Sequence, residues 1–166
     1  ALDCADRRRL PVADEVLRAA VLVNIDHHPT NNLFGRLNYV DAEAAATGEI
    51  IFDLLQELGV HDDCAVAEAL YVAVSTDTGS FKYDNTTEKT HRVAGRLLAC
   101  GVRPGRISSL VFDVKPLAFV MALRQALSTL AFSAGGRIAW LTLTEKDLWQ
   151  AGADNADLEG LINYAK

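Results

Sequence analysis

The segment Val21 to Ile25, VLVNI, constrains the fold of this chain more than any other feature. It is short, continuous, almost wholly apolar and rich in β-branched residues. Such a run suits a strand buried in a parallel sheet better than the half-exposed strand of an antiparallel one. Asp26-His27-His28 follows at once, so three polar side chains should stand at the strand's carboxyl end. Ala1 to Asp3 reads as the end of another buried strand that begins upstream, which would put Asp3 in an equivalent place.

Helical signals alternate with these strands. Asp41 could cap a helix running to about Leu58, with Ala42, Ala45, Ala46, Ile50, Leu54 and Leu58 on or near one face and Gly59 at its stop. A second apolar helix is expected from about Cys64 to Val74, before Thr76-Asp77-Thr78-Gly79, and a third from Thr86 or Thr87 to Gly101. The alternation favours an α/β fold with a parallel sheet flanked by helices. Around Asp113 to Pro116 the pattern changes. A helix from Leu117 to Ala131, a turn at Gly135-Gly136 and a strand from Arg137 to Thr142 follow, and Thr144 and Asp147 have capping-box spacing. This predicts one domain over residues 1–112, then a linker helix and an incomplete second α/β domain over 113–166, whose segment Asp154 to Tyr164 reads as unfinished.

Half of the 166 residues are hydrophobic, enough for one well-buried core, yet no apolar run approaches the roughly 20 residues of a membrane helix. The N-terminus lacks a signal-peptide pattern, so the cytoplasm is the expected location and no membrane partner is expected. A net charge of -6 and a pI near 5.1 argue against gripping long duplex DNA or RNA through its phosphates. Small anionic substrates remain compatible, because carboxylates around metal ions reverse the local sign of charge. Cys4, Cys64 and Cys100 are too widely separated for a disulfide framework or zinc knuckle and are expected to be reduced and mostly buried.

Three acidic or histidine-bearing sites each follow an apolar segment: Asp3, then Asp26-His27-His28, then Asp77 after the run from Tyr71 to Val74. Loops at the carboxyl ends of strands in an open α/β sheet meet in one crevice, so these residues could share a site. Carboxylate oxygens and neutral imidazole suit Mn²⁺ or Mg²⁺. Taken singly, each has a plainer reading. Asp-His-His at a strand end is often a cap with two surface imidazoles, and Asp-Thr-Gly is an ordinary turn.

The combination carries more. Asp26-His27-His28-Pro29-Thr30-Asn31, Phe34-Gly35, Ala45-Ala46-Thr47-Gly48-Glu49 and Thr76-Asp77-Thr78-Gly79-Ser80-Phe81 have an order and spacing that resemble the DHH phosphoesterase superfamily over nearly the whole chain. The pattern is most similar to its nano-RNase and pAp-phosphatase branch. The resemblance implies hydrolysis of short oligoribonucleotides and of the 3′-phosphate of adenosine 3′,5′-bisphosphate (pAp) with two divalent ions, Mn²⁺ or alternatively Mg²⁺. It makes Asp3 the metal-bridging aspartate, with Asp6 a nearby rival, and His27 and Asp77 further metal ligands. It places His28 against the substrate phosphate and Asp26 beside the metals as an orienting carboxylate, so His28 and Asp26 form the catalytic pair. Arg9 and Asn31 fall at positions suited to binding substrate, while Arg7 and Arg8 read equally well as a solvated run.

The family's first motif, a His and two Asp, would lie upstream of Ala1, and the Arg-Ser segment and glycine-rich stretch of its DHHA1-type substrate domain would lie beyond Lys166. On that expectation the chain is a fragment impaired in catalysis by itself. RecJ-type single-strand exonuclease, cyclic-dinucleotide phosphodiesterase and family II inorganic pyrophosphatase share the metal motifs and remain alternatives, as does a non-catalytic nucleotide-binding remnant. A homodimer is left open. His61 and His91 read as surface residues, and Phe81, Tyr83, Trp140 and Trp149 as packing residues.

Overall fold

A computed structural model describes residues 1–10, 21–60, 63–154, 158 and 160–165. His61 and four residues of the segment from Asp154 to Tyr164 lie outside the described residues. The chain divides into two compact units, Ala1–Val111 and Phe112–Lys166.

In the first unit, β1 (Val23–Asp26) pairs in parallel with β2 (Leu37–Val40), in register from Val23 opposite Leu37 to Asp26 opposite Val40. On the other side of β1, Leu2 forms a parallel bridge to Ile25, with Asp3 N–H donating to Ile25 O at 3.0 Å and Ile25 N–H to Ala1 O at 3.0 Å. Parallel pairing therefore brings Asp3 and the residues after Asp26 to the same end of the sheet. β2 was not foreseen in the sequence. The Asn38 side chain accepts from Gly35 N–H and donates to Gly35 O, closing the turn into the strand.

The apolar run is not buried on both faces. Burial alternates along β1, and the fully buried positions are the polar ones, Asn24 and Asp26, while Val23 is exposed. This sheet face is thus organised by hydrogen bonding near the site as much as by apolar packing.

The helices α1 (Thr47–Glu57), α2 (Cys64–Asp77) and α3 (Glu88–Ala99) enclose the main core, built around Leu70, Tyr71, Val74, Val93 and Leu97. The short α4 (Pro104–Ser108) adds Ile107. Gly48 lets α1 approach α2 closely: a Cβ there would stand 3.0 Å from Ala73 Cβ and 3.2 Å from Val74 Cγ2. Asp63 caps α2 through Ala65 and Val66 N–H, and Thr87 caps α3 in a capping box with Thr90.

The first helix starts five residues later than its sequence pattern suggests. Asp41 accepts from Glu43 N–H in a turn, and Ala46 is the N-cap. Ala44 and Ala45 stay out of the helix with their carbonyls engaged elsewhere: Ala44 O meets the His27 ring and Ala45 O accepts from Asn85. Glu49 instead reaches back to Ala45 N–H at 3.3 Å. The second helix runs on past Val74 to Asp77, so Asp77 stands at a helix end rather than a strand end.

In the second unit, α5 (Leu117–Ser128) follows Pro116, and β3 (Ala131–Phe132) pairs antiparallel with β4 (Ala139–Trp140). The helix expected to reach Ala131 stops at Ser128. There Thr129 Oγ1 exchanges hydrogen bonds with the Thr142 backbone and tethers the chain to the returning ribbon. The strand expected over Arg137 to Thr142 contracts to two residues. α6 (Glu145–Ala151) begins with the Thr144–Asp147 capping box and ends at Gly152, φ 65°. Phe119, Ala126 and Leu161 form this unit's small core.

Two packing expectations are corrected. Of the cysteines, all free, only Cys4 is buried, and Cys64 is exposed at the start of α2. Tyr83, Trp140 and Trp149 are exposed, Trp149 by 82%. Phe81 does pack, tilted on Tyr71 and stacked on His91, which is exposed as expected. No helix of the described residues is long and apolar enough to cross a membrane.

Candidate metal and phosphate site

The Asp-His-His segment leaves the end of β1, and its three side chains take different partners. Nδ1 of His27 lies 3.1 Å from the carbonyl oxygen of Ala44, an acceptor, so this nitrogen carries a proton and, in the neutral imidazole, Nε2 keeps its lone pair. Nε2 points between two carboxylates, 3.5 Å from Asp3 Oδ1 and 3.5 Å from Asp77 Oδ2. His28 is bound differently: its Nδ1 lies 2.7 Å from Oδ1 of the fully buried Asp26. A metal-bound imidazole is commonly oriented by a carboxylate or a carbonyl. The sequence suggested Asp26 for that task, but a backbone carbonyl orients His27 and Asp26 holds His28.

Ligand atoms of Asp3, His27 and His28 all lie within 4.8 Å of one another, which would admit His28 as a third donor. The His28 atom near Asp3 is Nδ1, at 3.8 Å, and that atom is committed to Asp26. The open lone pair of His27 and the two carboxylates facing it make Asp3, His27 and Asp77 the better set. Ligands bonded at about 2.0 to 2.2 Å to one ion stand roughly 3 to 3.5 Å apart, close to the spacing seen here. Two oxygens and one nitrogen suit a hard or borderline divalent cation.

The electrostatics agree. Burial, followed by the negative charge of Asp3, pushes the Asp77 carboxyl above the usual carboxylate range, against the pull of His27 and His28. A cation between the two carboxylates would remove that repulsion. Burial also acts to raise Asp26, but hydrogen bonds from His28, Asn31 and the His27 N–H outweigh it and hold Asp26 below its ordinary value. Asp6, the rival to Asp3, is occupied elsewhere. It caps the turn Arg7–Arg9 and is held by Arg8 at about 2, the Arg8 side-chain hydrogen bonds being the largest cause.

Several positioning groups escaped the sequence reading. Thr47 Oγ1 donates to Asp3 Oδ1 at 2.8 Å and is itself buried, fixing a carboxylate whose backbone is left-handed, φ 54°. Asn85 Nδ2 donates to both Ala45 O and Asp77 O, each at 3.1 Å, joining the loop that orients His27 to the helix end that carries Asp77. Thr47 was at least inside a recognised motif; Asn85 had no local signal. Of the two substrate candidates, Arg9 is exposed, and no hydrogen bond or ion pair among the described residues ties its side chain to the cluster. Asn31 lies at the cluster, but its side chain is turned to protein partners.

These elements define an α/β protein whose Asp-His-His strand end faces a further Asp on each side. The chain is 38% identical over 147 residues to the bifunctional oligoribonuclease and PAP phosphatase NrnA of Thermus thermophilus, covering 87% of this chain and 44% of that protein. With the Bacillus subtilis protein of the same description it is 34% identical over 99 residues, covering 58% and 32%. Among solved structures it is similar in fold to an exopolyphosphatase-related protein from Bacteroides fragilis, with a TM-score of 0.76 and 24% identity, covering 85% of this chain and 42% of that one. No protein-family model matches the chain. The chain spans less than half the length of the curated relatives it matches. These similarities support the DHH phosphoesterase branch that the sequence pattern resembles.

Proposed function

We propose that this chain carries the metal- and phosphate-handling residues of a cytoplasmic phosphoesterase that hydrolyses short oligoribonucleotides and the 3′-phosphate of pAp, with Mn²⁺ as the preferred ion. Residues 1–112 are its DHH domain, and 113–166 a linker helix and the opening of a DHHA1-type substrate domain. The observation that carries this reading is His27 Nε2, 3.5 Å from both Asp3 and Asp77 on a ring whose Nδ1 faces the Ala44 carbonyl. The names of the relatives support the substrate class.

Two bound divalent ions would supply an activated hydroxide and neutralise charge developing on the phosphoryl oxygens. The chain's own residues do the rest. Thr47 holds in place the Asp3 oxygen, Oδ1, that faces His27. Asp26 accepts the His28 Nδ1 proton, so His28 presents Nε2 to the substrate, where it can exchange a proton with a phosphate or leaving oxygen. No side-chain nucleophile is required.

The test is Mn²⁺-dependent release of mononucleotide from RNA of two to five nucleotides, and of phosphate from pAp, by the protein in its full natural length. Activity lost in Asp77→Ala supports the reading. An unimpaired Asp77→Ala protein, or no hydrolysis of either substrate by the unaltered protein, contradicts it.

A further inference from the structure

Asn31 was expected to bind substrate, yet every hydrogen-bonding group of its side chain is already used. Nδ2 donates to Cys4 O at 3.1 Å and to Asp26 Oδ2 at 2.5 Å. Oδ1 accepts from Leu33 N–H at 2.7 Å and from Asn24 Nδ2 at 3.3 Å. An amide has two donor hydrogens and two acceptor lone pairs, so four partners exhaust it. The orientation of the amide is fixed as well: reversing it would set NH₂ against the Leu33 N–H and oxygen against the Cys4 carbonyl.

We infer that Asn31 is a positioning residue that locks the Asp26–His28 pair, and that it does not contact substrate. Asp26 shares its two oxygens between the two partners, Oδ1 with His28 and Oδ2 with Asn31. The anchor reaches three stretches of chain: Cys4 beyond the bridged N-terminal segment, Asn24 within β1, and Leu33, held in a left-handed conformation, φ 54°. Asn24 is completely buried, so the far end of this network is shielded from water. Asp26 cannot rotate about its terminal bond without breaking the Asn31 bond. His28 is thereby kept as the Nδ1–H tautomer with Nε2 outward. Asn31 and His28 thus divide the substrate contact expected of both: one orients, the other faces the phosphate. The role of His28 rests on the phosphoesterase reading; the lock itself does not.

The experiment uses the 166-residue chain without metal, ¹⁵N-labelled, at a pH where the imidazoles are neutral. Two-bond ¹H–¹⁵N correlations report each ring tautomer. In the unaltered chain both His27 and His28 should be Nδ1–H. Asn31→Ala should move the His28 tautomer ratio about tenfold or more toward Nε2–H, as expected for weakening one charge-assisted hydrogen bond, and leave His27 unchanged. An unchanged His28 in a folded variant overturns the proposal, and so does an equal shift of His27, which would signal general collapse of the loop. Asn24→Ala withdraws one bond to Asn31 without touching Asp26. It should shift His28 in the same direction by less, and if Asn31→Ala fails to fold, no shift in Asn24→Ala overturns the proposal. Turnover does not enter this measurement, so an inactive protein would count against the phosphoesterase reading alone.

Discussion

Asp26 and His28, two residues apart, are joined by a 2.7 Å contact between Oδ1 and Nδ1, with the carboxylate completely buried and the imidazole partly open. A buried carboxylate is tolerable only when it is hydrogen-bonded on several sides, and Asp26 has three such partners in His28, Asn31 and the His27 N–H. Asp26→Asn keeps the size and removes the charge. Turnover should fall about 10- to 100-fold while Mn²⁺ affinity changes much less, because Asp26 supports His28 rather than the proposed ligand His27. Parallel kcat measurement and metal titration check this.

The same residue predicts an acid sensitivity. Its folded-state pKa lies below the ordinary 3.8, so it stabilises the fold above that value and loses its contribution as pH falls through the lower folded value. Metal-free Asp26→Asn should therefore lose less stability than the unaltered chain between about pH 4 and the acid limit. Denaturant midpoints measured at pH 6 and pH 3 for both proteins check the sign.

Thr47 isolates the contribution of one hydrogen bond to the proposed metal set. Thr47→Val preserves shape and leaves Asp3 Oδ1 without its donor. Metal affinity should drop about tenfold, within the range for partners that orient ligands, while Thr47→Ser stays close to the unaltered chain. Equal affinity in all three would remove Thr47 from the site.

Gly79 tests the loop behind Asp77. It opens a run of three left-handed residues, Gly79 at φ 56°, Ser80 at 60° and Phe81 at 63°, and a Cβ added there would fall 2.3 Å from the Tyr83 ring. Gly79→Ala should destabilise the first unit by about 1–2 kcal/mol from backbone strain alone, and displacement of Tyr83 can only add to it. Thermal unfolding of the variant gives the comparison.

What could be read from the sequence follows the range of each interaction. The strand leading into Asp26, the helix start near Thr87 and the capping box at Thr144 depend on neighbours within a few residues and were legible. The family pattern likewise placed Asp3, His27 and Asp77 in one site before any geometry was known. The late start of the helix at Thr47 was not legible, because it depends on Ala44 and Ala45 carbonyls being claimed by His27 and Asn85, 17 and 40 residues away. Asn31 shows the same limit in another form. Its place beside the Asp-His-His motif was visible, but the direction of its amide is set by Cys4, Asn24 and Leu33. Strand β2 was hidden because its residues are mostly exposed and carry little apolar periodicity.

The central claim, that Asp3, His27 and Asp77 form a divalent-metal site, is tested most directly by calorimetric titration of Mn²⁺ into the 166-residue chain and its His27→Ala and Asp77→Ala variants. The account predicts saturable binding by the unaltered chain, weakened at least about tenfold in each variant, as expected when a direct ligand is lost. Binding of undiminished affinity in either variant, with the fold intact, would contradict it.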